Sequence, residues 1–130
     1  MFEGRITDWN TVLSPFKRLE VLELHDDGVL SVRIHVLDNG KVYRLVSEFA
    51  ELYANINESY QNKLWAHKQK GVGNSFCIEG SSWVEMLKDD PVFSDLLQDS
   101  DLPMRHFVVA TMDDVIHILS FEEPVIQEAS

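Results

Sequence analysis

The sequence predicts an α+β fold: a mainly antiparallel sheet, formed by a three-strand meander plus a C-terminal hairpin, with helices packed on it. Three observations carry this. Residues 18–46 hold three runs rich in β-branched and aliphatic residues, separated by Asp26-Asp27-Gly28 and Asp38-Asn39-Gly40. Glycine supplies the positive φ of a tight turn, and Asn-Gly is the strongest short hairpin signal. Residues 104–120, MRHFVVATMDDVIHILS, set two apolar runs around Asp113-Asp114. Between these regions the apolar spacing changes from two to three and four, the period of a helix. Strands joined by hairpins, without regular crossover helices, favour an antiparallel sheet with helices on one side. The 130 residues make one domain, 1–130, and a chain of this size buries about two-thirds of its unfolded surface.

Taken in order, the first 17 residues carry Trp9, Val12, Leu13 and Phe16 and fit either a short helix or a strand covering a sheet edge. RLEVLELH at 18–25 is the first meander strand. In 29–37, VLSVRIHVL, residues Leu30, Val32, Ile34 and Val36 fall on one face, and Val29, Ser31, Arg33, His35 and Leu37 on the other, which is the pattern of a half-buried strand. KVYRLV at 41–46 is the third.

Phe49, Leu52, Tyr53, Ile56, Tyr60 and Leu64 then recur at helical spacing. Ser47 would cap this helix, Glu48 and Glu51 suit its positive end, Lys63, His67 and Lys68 its negative end, and Gly71 stops it. An extension of the third strand to Ala50 competes for its start. SFCIE at 75–79 is a short strand. Ser82 with Glu85 reads as a capping box. Asp90-Pro91 opens another helical turn, with Val92, Phe93, Leu96 and Leu97 apolar, and Asp101-Leu102-Pro103 ends it. The hairpin follows, and Pro124 closes the last strand.

With Asp113-Asp114 as a two-residue turn, Ala110 faces His117 and Val108 faces Leu119. His106 and His117 then share a face but lie about 13 Å apart, too far to hold one ion. Both faces of the hairpin are apolar, so it belongs at the centre of the sheet, covered on both sides.

The charge is −11, from 22 acidic and 11 basic residues. Such a surface repels phosphate backbones and anionic lipid, which argues against direct nucleic-acid or membrane binding. It keeps the chain soluble and favours encounter with a basic partner. The single cysteine, Cys77, forms no internal disulfide and fits a reducing compartment. No run approaches the roughly 20 apolar residues of a membrane span, and MFEGRITDWN lacks the apolar core of a signal peptide. The expected location is cytoplasmic.

No catalytic constellation stands out. His25, His35, His67, His106 and His117 show no metal-ligand spacing. No GxSxG is present, and Gly71-Val72-Gly73 lacks the phosphate-loop order. The carboxylate pairs Asp26/Asp27, Asp89/Asp90, Asp113/Asp114 and Glu122/Glu123 sit at predicted turns or element ends. No catalytic residue, metal or cofactor is expected. Trp65 falls off the apolar stripe, beside the basic loop AHKQKGVGNS, and is the aromatic best placed for a partner contact.

Size, acidity, the meander–helix–hairpin order and the ending HFVVATMDDVIHILSFEEP resemble the small acidic immunity proteins of bacterial toxin systems. The resemblance implies a non-enzymatic, protein-binding domain in a tight one-to-one complex with a basic toxin domain, often a nuclease. Its acidic face would imitate or block phosphate. The dense acidic stretch 89–101 then supplies the partner contacts Asp89, Asp90, Asp95, Asp99 and Asp101, with Trp65 beside them. Two alternatives stand next to it. One is a small-ligand-binding or enzymatic domain with a pocket between sheet and helices, using His35, His106 and Cys77. The other is a homo-oligomeric structural domain with Trp65 at a homodimer interface.

Overall fold

A computed structural model describes residues 4–48, 50–57 and 73–129. Among them are nine strands: β1 (Arg5–Asp8), β2 (Leu19–Asp26), β3 (Leu30–Val36), β4 (Lys41–Ser47), β5 (Ala50–Asn57), β6 (Ser75–Glu79), β7 (Arg105–Ala110), β8 (Asp114–Ser120) and β9 (Val125–Glu128). Two short helices, α1 (Ser82–Lys88) and α2 (Pro91–Asp99), connect β6 to β7. The strands form two antiparallel sheets, one ordered β1-β6-β7-β8-β5 and the other β2-β3-β4-β9. Strands dominate and helices are few, so the expected helix-covered single sheet becomes two sheets with a small helical layer.

The meander forms as its sequence predicts. Leu30, Val32, Ile34 and Val36 are all buried while Arg33 between them is exposed. Gly28 and Gly40 adopt φ of +104° and +73° in the two turns, conformations an L side chain resists. These inward residues, with Leu19, Tyr43 and Leu45, meet Cys77, Phe107, Val109, Ile116 and Ile118 of the other sheet in one core. A second cluster of Ile6, Phe76, Ile78, Val108, Ala110 and Val115 covers the opposite face of the five-stranded sheet. The β7–β8 hairpin is therefore packed on both sides, as its two apolar faces predict, and β7 occupies the middle of its sheet.

The N-terminal ambiguity resolves in favour of a strand. β1 pairs with β6 at a sheet edge, and Trp9 and Leu13 behind it enter the main core. The Trp9 indole donates to Glu123 at 2.6 Å.

Three expectations require correction. The helix placed from Ser47 onward is, over 50–57, strand β5 paired with β8. Leu52, Tyr53 and Ile56 satisfy a helical period, but Leu52, Ala54 and Ile56 also alternate with Tyr53, Asn55 and Asn57. Pairing with β8 supplies the backbone partners that decide the matter, and Tyr53 packs against the inter-sheet core. The rest of that predicted helix, including Tyr60, Leu64 and Trp65, lies outside the described residues, as does Phe49. Second, the cap of α1 is Ser81, not Ser82. Glu85 is then one position too late for a capping box and binds Lys88 at 2.9 Å instead. Third, Pro124 does not end the last strand, because β9 follows it and pairs with β4.

Candidate functional site

The helical layer sits on the outward face of the five-stranded sheet, where α1 contacts β7. Its anchor is polar. Ser81 Oγ accepts the N–H groups of Trp83 and Val84 at 3.2 and 3.4 Å, satisfying donors that a helix start leaves open. The same oxygen lies 2.7 Å from His106 Nδ1, and His106 Nε2 lies 2.8 Å from His117 Nδ1. The arrangement that satisfies each atom has the Ser81 hydroxyl donating to His106 and the His106 N–H donating to His117. The Trp83 ring covers both imidazoles, with centroids 5.1 and 4.4 Å away. Both histidines are buried to 1% exposure. Desolvation lowers His106 to a pKa of about 3, with the neighbouring His117 adding to the effect. Desolvation likewise lowers His117 to about 4. Both are neutral at pH 7.

This overturns the expected 13 Å separation. The connecting loop is 111–113, not a two-residue Asp113-Asp114 turn, and Ala110 pairs with Val115. Thr111 builds the loop. Its N–H and hydroxyl both donate to the Asp114 carbonyl, and its Oγ1 accepts from the Asp114 N–H. The register moves by two residues, which preserves the faces. His117 now lies opposite Val108 and His106 opposite Leu119, making the imidazoles diagonal neighbours within reach of each other.

A serine–histidine–histidine chain has the outline of an activated nucleophile. Its energetics do not serve that role. The Ser81 oxygen is committed to the helix cap and buried at 4% exposure. A base with a pKa of about 3 takes up a proton poorly near neutrality. The chain instead pins α1 to the sheet.

Above this anchor lies the acidic stretch. Asp89 is the C-cap of α1, and Asp90 is the N-cap of α2, accepting from Val92 and Phe93 at 2.9 and 3.4 Å. Asp95 and Asp99 stand one turn apart on α2, and Asp101 follows it; all five aspartates are exposed. None of them forms an ion pair among the described residues. Apolar side chains are exposed in the same layer: Met86 at 58%, Val92 at 76% and Leu102 at 49%. Val92, assigned by its spacing to the apolar side of α2, instead faces solvent in the first turn of that short helix, whereas Phe93 and Leu97 are partly buried. Trp65, the remaining proposed contact, lies outside the described residues.

The alternative pocket is also locatable. A groove of about 510 Å³ beside α1 is lined by Cys77, Ser81, His106, Lys88 and Arg105, among others. Cys77 and His106 thus share a groove, whereas His35 is on the other sheet, bonded to Glu20 at 2.8 Å. Burial pushes the Cys77 thiol up, with Arg105 opposing, so it is not an activated thiolate. Among the described residues no His, Cys, Asp and Glu cluster is placed to hold a metal ion, and no helix is long and apolar enough to cross a membrane. Comparison of the chain with protein-family models, with curated proteins and with solved structures finds no match.

Proposed function

We propose that the chain is a non-enzymatic protein-binding domain that presents its α2 face to a basic partner, in the manner of a toxin-neutralising immunity protein. The observation that carries this is the charge arrangement on α2. Asp95 and Asp99 are like charges four apart, which destabilises a helix by a few tenths of a kcal/mol. Asp99 also sits at the negative end of the helix dipole, with no basic residue in that last turn. A partner's lysines or arginines would relieve both penalties. Val92 shares a face with these aspartates by helical spacing, and an exposed apolar residue among charges is the composition of an interface rather than of an idle surface.

The test is co-purification from the native host at low salt, comparing the wild type with Asp95→Lys/Asp99→Lys. The expected result is a stoichiometric basic protein retained by the wild type and lost by the variant. The variant's melting temperature should be unchanged or higher, because Lys at position 99 suits the dipole. Retention of the partner by the variant would overturn the reading. The groove beside α1 supports a second reading, a small-ligand pocket; a bound small molecule and no protein partner would favour it.

A further inference from the structure

The outward face of the four-stranded sheet carries a row of side chains that crosses all of its strands. Glu23 pairs with Arg33, Arg33 with Arg44, and Arg44 with Gln127. Two arginines directly opposite each other on neighbouring strands destabilise a sheet, and this chain has only 11 basic residues to place among 22 acidic ones. Arg33 has partial relief from Glu23, at a long 3.7 Å. Arg44 donates its Nε–H to Ser31 Oγ at 2.9 Å and makes no other hydrogen bond or ion pair among the described residues. Ser31 is buried at 9% exposure, so this bond fixes the plane of the guanidinium while leaving both terminal Nη groups unused. A concavity of about 450 Å³ opens here, and its lining includes Arg33 and Arg44 together with Glu23 and Glu128. Its volume is in the range of small-molecule sites.

We propose that this concavity binds a small carboxylate-bearing molecule, held end-on by the two Nη groups of Arg44 with Arg33 beside it. A guanidinium fork matches a carboxylate in two parallel charge-assisted hydrogen bonds. The carboxylates in the lining decide against a dianion. Glu23 and Glu128 both oppose negative charge, and each is offset only by a long ion pair, Glu23 by Arg33 at 3.7 Å and Glu128 by Lys41 at 3.6 Å. A monoanionic carboxylate fits that field better than a phosphate. The inference does not depend on the α2 face and concerns a different sheet.

The test is an NMR titration of the arginine Nε–Hε signals of the full chain with sodium acetate, with phosphate and chloride as matched-ionic-strength controls. Arg5, Arg18 and Arg105 serve as internal references. The expected result is a saturable shift confined to Arg33 and Arg44, with phosphate weaker than acetate. Arg44→Lys should weaken acetate binding at least about fivefold, since it keeps the charge but loses the fork. Arg44→Gln should abolish binding yet leave the melting temperature equal or higher, because it removes the like-charge pair. Shifts spread over all the arginines, phosphate binding tighter than acetate, undiminished binding by Arg44→Lys, or a lower melting temperature in Arg44→Gln would each overturn the proposal.

Discussion

At the scale of single residues, His106 and His117 dominate. Their pKa values of about 3 and 4 in the folded chain lie below the ordinary 6.5. As pH falls through 6.5 the unfolded chain takes up protons that the folded chain refuses, so acid favours unfolding. Stability from this source is complete above about pH 7 and is lost progressively toward the folded values. Urea unfolding at pH 7.5 and 5.5 should show a loss of about 3 kcal/mol for the two sites together. His117→Asn should show roughly half that pH dependence, and identical slopes would refute the assignment. That the two histidines share a face was legible from residue parity. Their contact was not, because it depends on loop length, and Thr111 lengthens the loop through hydrogen bonds that resemble no turn signature in Asp113-Asp114.

At the scale of elements, the two helices are set by their caps. Asp90→Ala should cost about 1 kcal/mol, the usual worth of an N-cap. Ser81→Ala should cost more, about 2 to 3 kcal/mol, because it removes a cap and also leaves buried His106 Nδ1 without its donor. Thermal denaturation of both variants distinguishes them; equal losses would mean that the histidine chain contributes nothing to anchoring α1. The Asp90-Pro91 start was readable because proline specifies the first helical position. The α1 start was misplaced by one residue because Ser81 and Ser82 are chemically equal as caps. Only the sheet beneath, which presents His106 to Ser81, separates them. β5 was misread for a related reason: Leu52, Tyr53 and Ile56 fit both periods, and the deciding partner, β8, is distant in sequence.

At the scale of the whole molecule, a net charge of −11 imposes self-repulsion that salt screens. The melting temperature should therefore rise by a few degrees between 10 and 300 mM NaCl, measured calorimetrically; a fall would mean that specific ion pairs outweigh the net field. The alternation in β3 and the turns around it made the meander legible. Its closure by β9 was not, since Val125–Glu128 is short and an alternating pattern does not name the sheet a strand joins. That closure has a kinetic consequence. Between β4 and its partner β9 the chain runs through β5 to β8, all of them in the other sheet. The meander and the β7–β8 hairpin depend on local contacts and can form within microseconds. Docking β9 on β4 has to close the long stretch of chain between them, as the Trp9–Glu123 bond does between residues 114 apart. Pairings of that separation are slow. The four-stranded sheet is thus expected to begin folding early, through its meander, and to be completed late, through β9.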